Sequence, residues 1–211
     1  MPKFEKIVLE APQKYDKMLL KQYETLEEVR NGRNPVLYLL EHQPVVTLGR
    51  RTEQKHLLLT PEEFSEKGID VVQVQRGGSA TYHGPGQLVG YVICKVSTLG
   101  GTYKLVKKIL NLVQSAIEAF GVDCKVDDNN PGVWTSDEIP RKIAAVGMQI
   151  KEGYSLHGFA INVDLPLAPF TYIVPCGLTL PVSTISIERG KKIPISDVRD
   201  WVLENFEKII A

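Results

Sequence analysis

Two stretches of this sequence hold side chains capable of covalent chemistry. One is Ile173-Val174-Pro175-Cys176-Gly177, where a thiol stands between a stiff proline and a freely turning glycine. A thiol of ordinary pKa, ~8.5, is only a few per cent ionised near neutral pH, so a nucleophilic Cys176 would need a cation close by. A lone cysteine is as often a small buried hydrophobe, and residue type alone leaves both open. The other stretch is Arg76 to Tyr91, RGGSATYHGPGQLVGY, with five glycines, an arginine and a histidine. Gly84-Pro85-Gly86-Gln87 predicts a type II turn, since proline fixes φ at the second position and glycine accepts positive φ at the third. Gly77-Gly78 would let the backbone and its amides approach a ligand, or would serve a hairpin loop by geometry alone. The segment is neither a Walker loop nor a dinucleotide fingerprint. Taken singly, His83 is a hydrogen-bonded loop histidine, Arg76 a surface charge at a strand end and Lys142 a solvated lysine. Cys94, Cys124 and Cys176 form no CxxC pair, and His83 and His157 lie far from Cys176, so neither a disulfide framework nor a zinc site is expected.

The elements that must position these residues are legible as periodicities. A helix is predicted from about Gln13 to Val29, with Asn31-Gly32 as its stop. Extended runs follow at Val36 (VLYLLEH) and Val45 (VVTLG). Thr60-Pro61-Glu62-Glu63 reads as a capped helix start and Gly68 as its end. IDVVQVQ leads into the glycine-rich segment and QLVGYVI leaves it. A long helix follows Thr102, with Leu105, Ile109, Leu112, Val113, Ala116, Ile117 and Phe120 as its apolar stripe and Gly121 as its close. Short strands then dominate (VDCKV, GVWT, KIAAVGMQI, YSLHGFAINV), before a last helix from about Ser196 to Ile210 with Trp201, Val202, Phe206, Ile209 and Ile210 inward. Adjacent strands read as hairpin neighbours rather than βαβ units, which predicts an α+β fold with mixed or antiparallel sheet.

Bulk composition bounds the function. With 211 residues, 43% apolar and 24% charged, the chain suits one domain, 1–211, as domains run ~100–200 residues. Lys plus Arg and Asp plus Glu both number 25, so no basic excess points to nucleic acid or a membrane surface. No run approaches the roughly 18 apolar residues of a membrane helix, and MPKFEKIVLEAP lacks a signal-peptide core. With its odd count of unpaired cysteines, the chain is expected in a reducing cytoplasm.

The glycine-rich segment closely resembles the signature of the lipoyl(octanoyl) transferase family, RGG-x-x-TYHGPGQL-x-x-Y. Four further blocks resemble that family in its own order: HQPVVTLGRR (His42–Arg51), PGVW from Pro131, KIAAVGMQI from Lys142 and HGFAINVDLPLAPFTYIVPCG (His157–Gly177). Together they span roughly residues 36 to 185. The resemblance implies the fold of the biotin and lipoate ligase catalytic domains, a mixed sheet packed by helices with a smaller sheet alongside. It implies that Cys176 is an acyl-thioester nucleophile and Lys142 its partner, Arg141 being the surface neighbour. The acyl chain would be held by Arg76, Gly77, Gly78, Ser79, Ala80, Thr81, Tyr82 and His83, by Ala145, Val146 and Gly147, and by Gly158, Phe159 and Ala160. Small residues make physical sense there, because bulk would fill an acyl tunnel. The implied donor is octanoyl-acyl carrier protein. The implied acceptors are the lipoyl domains of 2-oxoacid dehydrogenase complexes and the glycine-cleavage H protein. A thioester is already activated, so neither ATP nor a metal is expected, and the chain is expected to be a monomer. Cys94 and Cys124 are expected to be structural.

The sequence departs from the family pattern in places. Pro166 replaces an aspartate of NVDxDL, Ala168 a common serine, and Val182-Ser183-Thr184 stands where VTS follows the cysteine. Two rivals remain: an ATP-dependent lipoate or biotin ligase of the same fold, which needs no nucleophilic cysteine, and a non-catalytic binder of carrier proteins.

Overall fold

Strand burial of period two explains how the main sheet is layered. The computed structural model describes residues 3–127, 132–174 and 181–210. Strands β1 (Glu5–Val8) and β2 (Val36–Leu40) flank helix α1 (Tyr15–Arg30), which ends at Asn31-Gly32 as predicted. In β2 every residue is buried, and successive side chains alternate between two cores. Leu37 and Leu39 join the cluster of Leu105, Ile109, Leu112 and Val113, whereas Val36, Tyr38 and Leu40 join that of Met18, Leu26 and Val29 on α1.

Strand β3 (Val45–Leu48) is followed by helix α2 (Pro61–Glu66), whose predicted cap is present. Thr60 Oγ1 accepts from the Glu63 amide at 3.3 Å, and the Glu63 carboxylate accepts from the Thr60 amide at 2.7 Å. Then come β4 (Asp70–Gln73), β5 (Ala80–His83), β6 (Gln87–Ile93), helix α3 (Thr102–Ala119), β7 (Cys124–Val126) and β8 (Gly132–Thr135). Strands β9 (Lys142–Lys151) and β10 (Tyr154–Asn162) form a hairpin through Glu152 and Gly153, both at positive φ. Helices α4 (Ile185–Arg189) and α5 (Ile195–Ile210) close the described chain. Val202, Phe206 and Ile210 of α5 are fully buried, while Trp201 and Ile209 pack at the margin of the same core.

The large sheet runs β1-β2-β6-β10-β9-β8-β7 and the small one β4-β3-β5. The pairs β1/β2 and β3/β4 are parallel and the rest antiparallel, which makes the fold the predicted mixed-sheet α+β. Helices α3 and α5 cover one face of the large sheet and α1 the other.

The glycine-rich segment is not a hairpin loop between two neighbouring strands. It contains a strand of its own, β5, in the small sheet, while β6 belongs to the large one, so the segment carries the chain from one sheet to the other. The predicted turn makes that crossing: the Gln87 amide donates to the Gly84 carbonyl at 3.2 Å, and Gly86 has φ +90°. A Cβ at Gly86 would also lie 2.3 Å from the Asp164 carbonyl oxygen, so both φ and space demand glycine. Strand β1 and helix α4 escape sequence reading because four and five residues show too little period.

Candidate active site

A cavity of about 790 Å³ opens between the glycine-rich segment and the β9–β10 hairpin. It is lined by Arg76, Gly77, Gly78, Ser79, Ala80, Thr81 and His83, by Lys142, by Ala145, Val146 and Gly147, and by Gly158, Phe159 and Ala160. The structure thus gathers three separate sequence blocks on one space. The pairing of β9 with β10 sets Gly147 opposite Gly158 and Ala145 opposite Ala160, which makes a patch with almost no side chain. Tyr82 does not line the cavity. It alternates with Thr81 and His83 along β5 and turns into a separate core, its ring edge-on to Phe170 at 5.5 Å.

Arg76 is buried, not a surface charge, and it fastens the segment to β3. Its Nη2 donates to the Thr47 carbonyl and to Thr47 Oγ1, both at 2.7 Å, and its Nη1 to the Gly77 carbonyl at 3.0 Å. The Gly77 amide donates to the Met148 carbonyl on β9 at 2.9 Å, so the loop rests on the hairpin. The Ser79 hydroxyl bonds to His56 at 3.0 Å.

His83 begins a buried polar relay. Its Nδ1 meets Gln87 Oε1 at 2.7 Å, and Gln87 Nε2 donates to Asn162 Oδ1 at 2.9 Å. Asn162 Nδ2 donates to the Ser183 carbonyl at 3.0 Å and lies 3.5 Å from the Lys142 carbonyl. Behind it sit His42, bonded to Tyr91 Oη at 2.6 Å, and His157, 3.4 Å from Tyr15 Oη. Burial pushes the imidazoles down, His42 to about 4 and His83 and His157 to about 3, with His42 and Arg76 adding repulsion at His83 and Arg76 at His157. All three are neutral at physiological pH. Burial raises the Tyr15 hydroxyl to about 12 and Tyr91 well above its usual range. His157 also has a left-handed backbone, φ +61°, held by its amide donating to Gln22 Oε1 at 2.7 Å.

Lys142 opens β9 with its Nζ 5.0 Å over the Trp134 ring. Gly132 makes this approach possible, since a Cβ there would lie 2.6 Å from Lys142 Cε and 2.5 Å from the Ala144 carbonyl oxygen. The Lys142 amide donates to the Pro181 carbonyl and its carbonyl accepts from the Ser183 amide, each at 2.9 Å. A bidentate pair locks this junction: Arg141 Nε and Nη2 donate to Glu188, both at 2.8 Å, and Ser183 Oγ donates to the same carboxylate. Arg141 is accordingly the structural member of the Arg141-Lys142 pair.

Cys176, like Pro131, lies outside the described residues. The nearest described residues are tied on both sides: the Val174 amide donates to the His56 carbonyl at 2.9 Å, and Pro181 is bonded to Lys142. Cys94 and Cys124 are buried. Burial raises the Cys94 thiol to about 11 against a hydrogen bond from Ser155, and burial beside Glu118 and Asp123 raises Cys124 to about 12. Neither has the character of a nucleophile. Sequence reasoning missed Thr47, Gln87 and Asn162, which lie inside the resembling blocks but carry no reactive group that would single them out.

Residues 13–207 match the family described as lipoyl protein ligase A/B catalytic domain. The chain is 46% identical over 164 residues to an octanoyltransferase of Dictyoglomus thermophilum, covering 77% of this chain and 68% of that protein. It is 41% identical over 181 residues to an octanoyltransferase of Dictyoglomus turgidum, covering 81% and 75%. Among solved structures it resembles a lipoate-protein ligase A bound with ATP, with TM-score 0.79, 17% identity and 97% and 84% of the two chains covered. It also resembles a bipartite lipoate protein ligase of Thermoplasma acidophilum, with TM-score 0.73, 18% identity and 99% and 84% covered. At such identities the structural likeness is one of fold.

Proposed function

Because the chain belongs to the lipoyl protein ligase A/B catalytic-domain family, we propose that it is an octanoyltransferase that moves an octanoyl group from an acyl-carrier thioester to a lysine of a lipoyl domain. The relatives named octanoyltransferase, 36–46% identical over most of the chain, support an acyltransferase. The single observation that favours this activity in the site itself is the small-residue floor of Ala145, Gly147, Gly158 and Ala160 ending at the β9 residue Lys142. Such a floor accommodates an unbranched alkyl chain, and Lys142 stands where the reactive end would lie.

In this reading residues 1–211 form one catalytic domain, a cytoplasmic monomer using neither ATP nor a metal. The Cys176 thiolate attacks the carbonyl carbon of the octanoyl thioester. The bond to the phosphopantetheine sulfur breaks, and that sulfur leaves with a proton from Lys142. The octanoyl group then rests on Cys176 as a thioester. The acceptor lysine, on a lipoyl domain of a 2-oxoacid dehydrogenase complex or glycine-cleavage H protein, attacks this carbonyl. Its amine passes a proton to Lys142, the amide forms and the Cys176 thiolate is released. Two observations support these roles. Backbone hydrogen bonds join Lys142 to Pro181 and Ser183, and Pro181 follows Cys176 by five residues. The other two cysteines are held in the thiol form by burial.

The neutral histidines fit a role in structure and not in proton transfer, because a base of pKa about 3 takes up little proton at neutral pH. The test is transfer from octanoyl-acyl carrier protein to an apo lipoyl domain without ATP. Product is expected. Activity that appears only with free octanoate and ATP would make the chain a ligase and overturn the reading.

A further inference from the structure

The cavity carries more positive charge than an acyl chain can use. Among the described residues its lining holds the basic side chains of Arg50, Arg51, Arg76 and Lys142 and not one aspartate or glutamate, in a chain whose acidic and basic residues balance at 25 each. An octanoyl group and its thioester are neutral. Arg76 is engaged with Thr47 and Gly77, and Lys142 belongs to the reacting end. Arg50 and Arg51 serve neither purpose. Both are exposed yet line the cavity, so they stand where it meets solvent. Neither pairs with a carboxylate among the described residues, and the neighbouring Glu53 is held by Lys55 at 2.8 Å.

Their placement is built and not incidental. The Thr52 amide donates to the Gly49 carbonyl at 3.0 Å, closing a tight turn around the two arginines. The Arg50 amide donates to the Arg76 carbonyl at 3.1 Å and the Arg51 amide to the Gly78 carbonyl at 3.0 Å, so the turn is latched to the glycine-rich segment by its backbone. The latch requires glycine at 49, where a Cβ would lie 2.5 Å from the Gly78 carbonyl oxygen and 2.7 Å from Arg76 Nη1. The backbone latch thereby sets two adjacent basic residues at the rim of an acyl cavity, and a pair of neighbouring cations suits the charge of a phosphate ester.

We propose that Arg50 and Arg51 bind the phosphate of the donor's phosphopantetheine arm, holding the arm at the rim while its thioester reaches inward to Lys142. This rests on the transferase reading, because that reading supplies a donor with a phosphate at one end of the arm and the acyl thioester at the other. It assigns the rim to the donor and predicts that the enzyme senses the phosphate directly, apart from the carrier protein's own surface.

The test compares three octanoyl donors with one apo lipoyl domain: the carrier-protein thioester, S-octanoyl-4′-phosphopantetheine and S-octanoyl-pantetheine, which lacks the phosphate. The wild type is expected to prefer the phosphorylated small donor by about tenfold or more in kcat/KM, chiefly through KM. Arg50→Gln/Arg51→Gln should bring that ratio close to one, and Arg50→Lys/Arg51→Lys should keep most of it, since lysine retains the charge without the fork. The side chains are exposed and the latch is made by backbone, so melting temperature should stay at the wild-type value.

A wild type indifferent to the phosphate overturns the proposal. So does a Gln variant that slows both small donors equally, which would mark the turn as purely structural. A loss confined to the carrier-protein donor would assign the arginines to that protein's acidic surface instead. A loss confined to ATP-driven use of free octanoate would assign them to a nucleotide. Failure of the wild type with all three donors would refute the transferase reading itself, a distinct result.

Discussion

Lowering the pH from 7.5 to 5 should remove several kcal/mol of the fold's stability, and three buried histidines set the size of the effect. His42, His83 and His157 are 0%, 8% and 2% exposed, and their pKa values are held near 4, 3 and 3. In the unfolded chain each would titrate near ~6.5. The folded pKa lies below the unfolded one, so the unfolded state takes up protons first. Stability is therefore complete above pH ~6.5 and falls until the folded state itself titrates near pH 4 to 3. At pH 5 each histidine costs about 2 kcal/mol, or about 6 kcal/mol for the three, against a typical total of ~5–15 kcal/mol. Carboxylates add to this only nearer their own range, so the window from 6.5 to 5 reports the histidines. Urea midpoints at constant m-value, taken every half unit, should show a slope approaching ~4 kcal/mol per pH unit near pH 5. His42→Gln should remove about a third of it. A slope of ~1.4 kcal/mol per unit or less would mean that at most one histidine stays neutral in the folded state and would refute the reasoning.

Three substitutions probe the site. Gly132→Ala places a Cβ 2.6 Å from Lys142 Cε and 2.5 Å from a backbone oxygen that cannot step aside; we expect ~1–3 kcal/mol of lost stability and a lowered kcat, and near-normal values of both would show that Lys142 needs no such room. Asn162→Ala breaks the relay between His83 and the Ser183 carbonyl, which should cost ~1–3 kcal/mol in urea unfolding and slow transfer; an unchanged midpoint would remove the relay from the account. Gly147→Phe starts from a Cβ already 3.2 Å from the Gly77 carbonyl oxygen and 3.3 Å from Arg76 Cδ, so its ring must enter the cavity or lift the loop. Shorter acyl donors should gain over octanoyl in competition assays, and an unchanged chain-length preference would place the acyl chain elsewhere.

Much of this was legible in the residues. The capping box at Thr60, the stops at Asn31-Gly32 and Gly121, and the turn at Gly84-Pro85-Gly86 are local chemistry, and local chemistry decides them. The blocks around Arg76, Lys142 and His157 resemble parts of one family's site, and the cavity joins them. What a linear reading could not supply was the sheet to which each strand belongs. Periodicity gives a strand its faces but not its neighbours, so β4 and β6 passed as the two sides of a loop although they sit in different sheets. The same limit made Arg76 look like a surface charge, since its partner Thr47 is 29 residues away. Alternation along a strand already separates Tyr82 from the face of Thr81 and His83, but which face meets the cavity is set by the fold. Asn162 and Gln87 have ordinary amide side chains, and only the fold brings them between His83 and Lys142.

The central claim is covalent transfer through Cys176, and intact mass tests it most directly. The purified chain, incubated with octanoyl-acyl carrier protein without ATP or acceptor, should gain the mass of one octanoyl group. Cys176→Ser should gain nothing, and an apo lipoyl domain should discharge the adduct. An unmodified wild type that still octanoylates the lipoyl domain, or an adduct that persists in Cys176→Ser, would contradict the account.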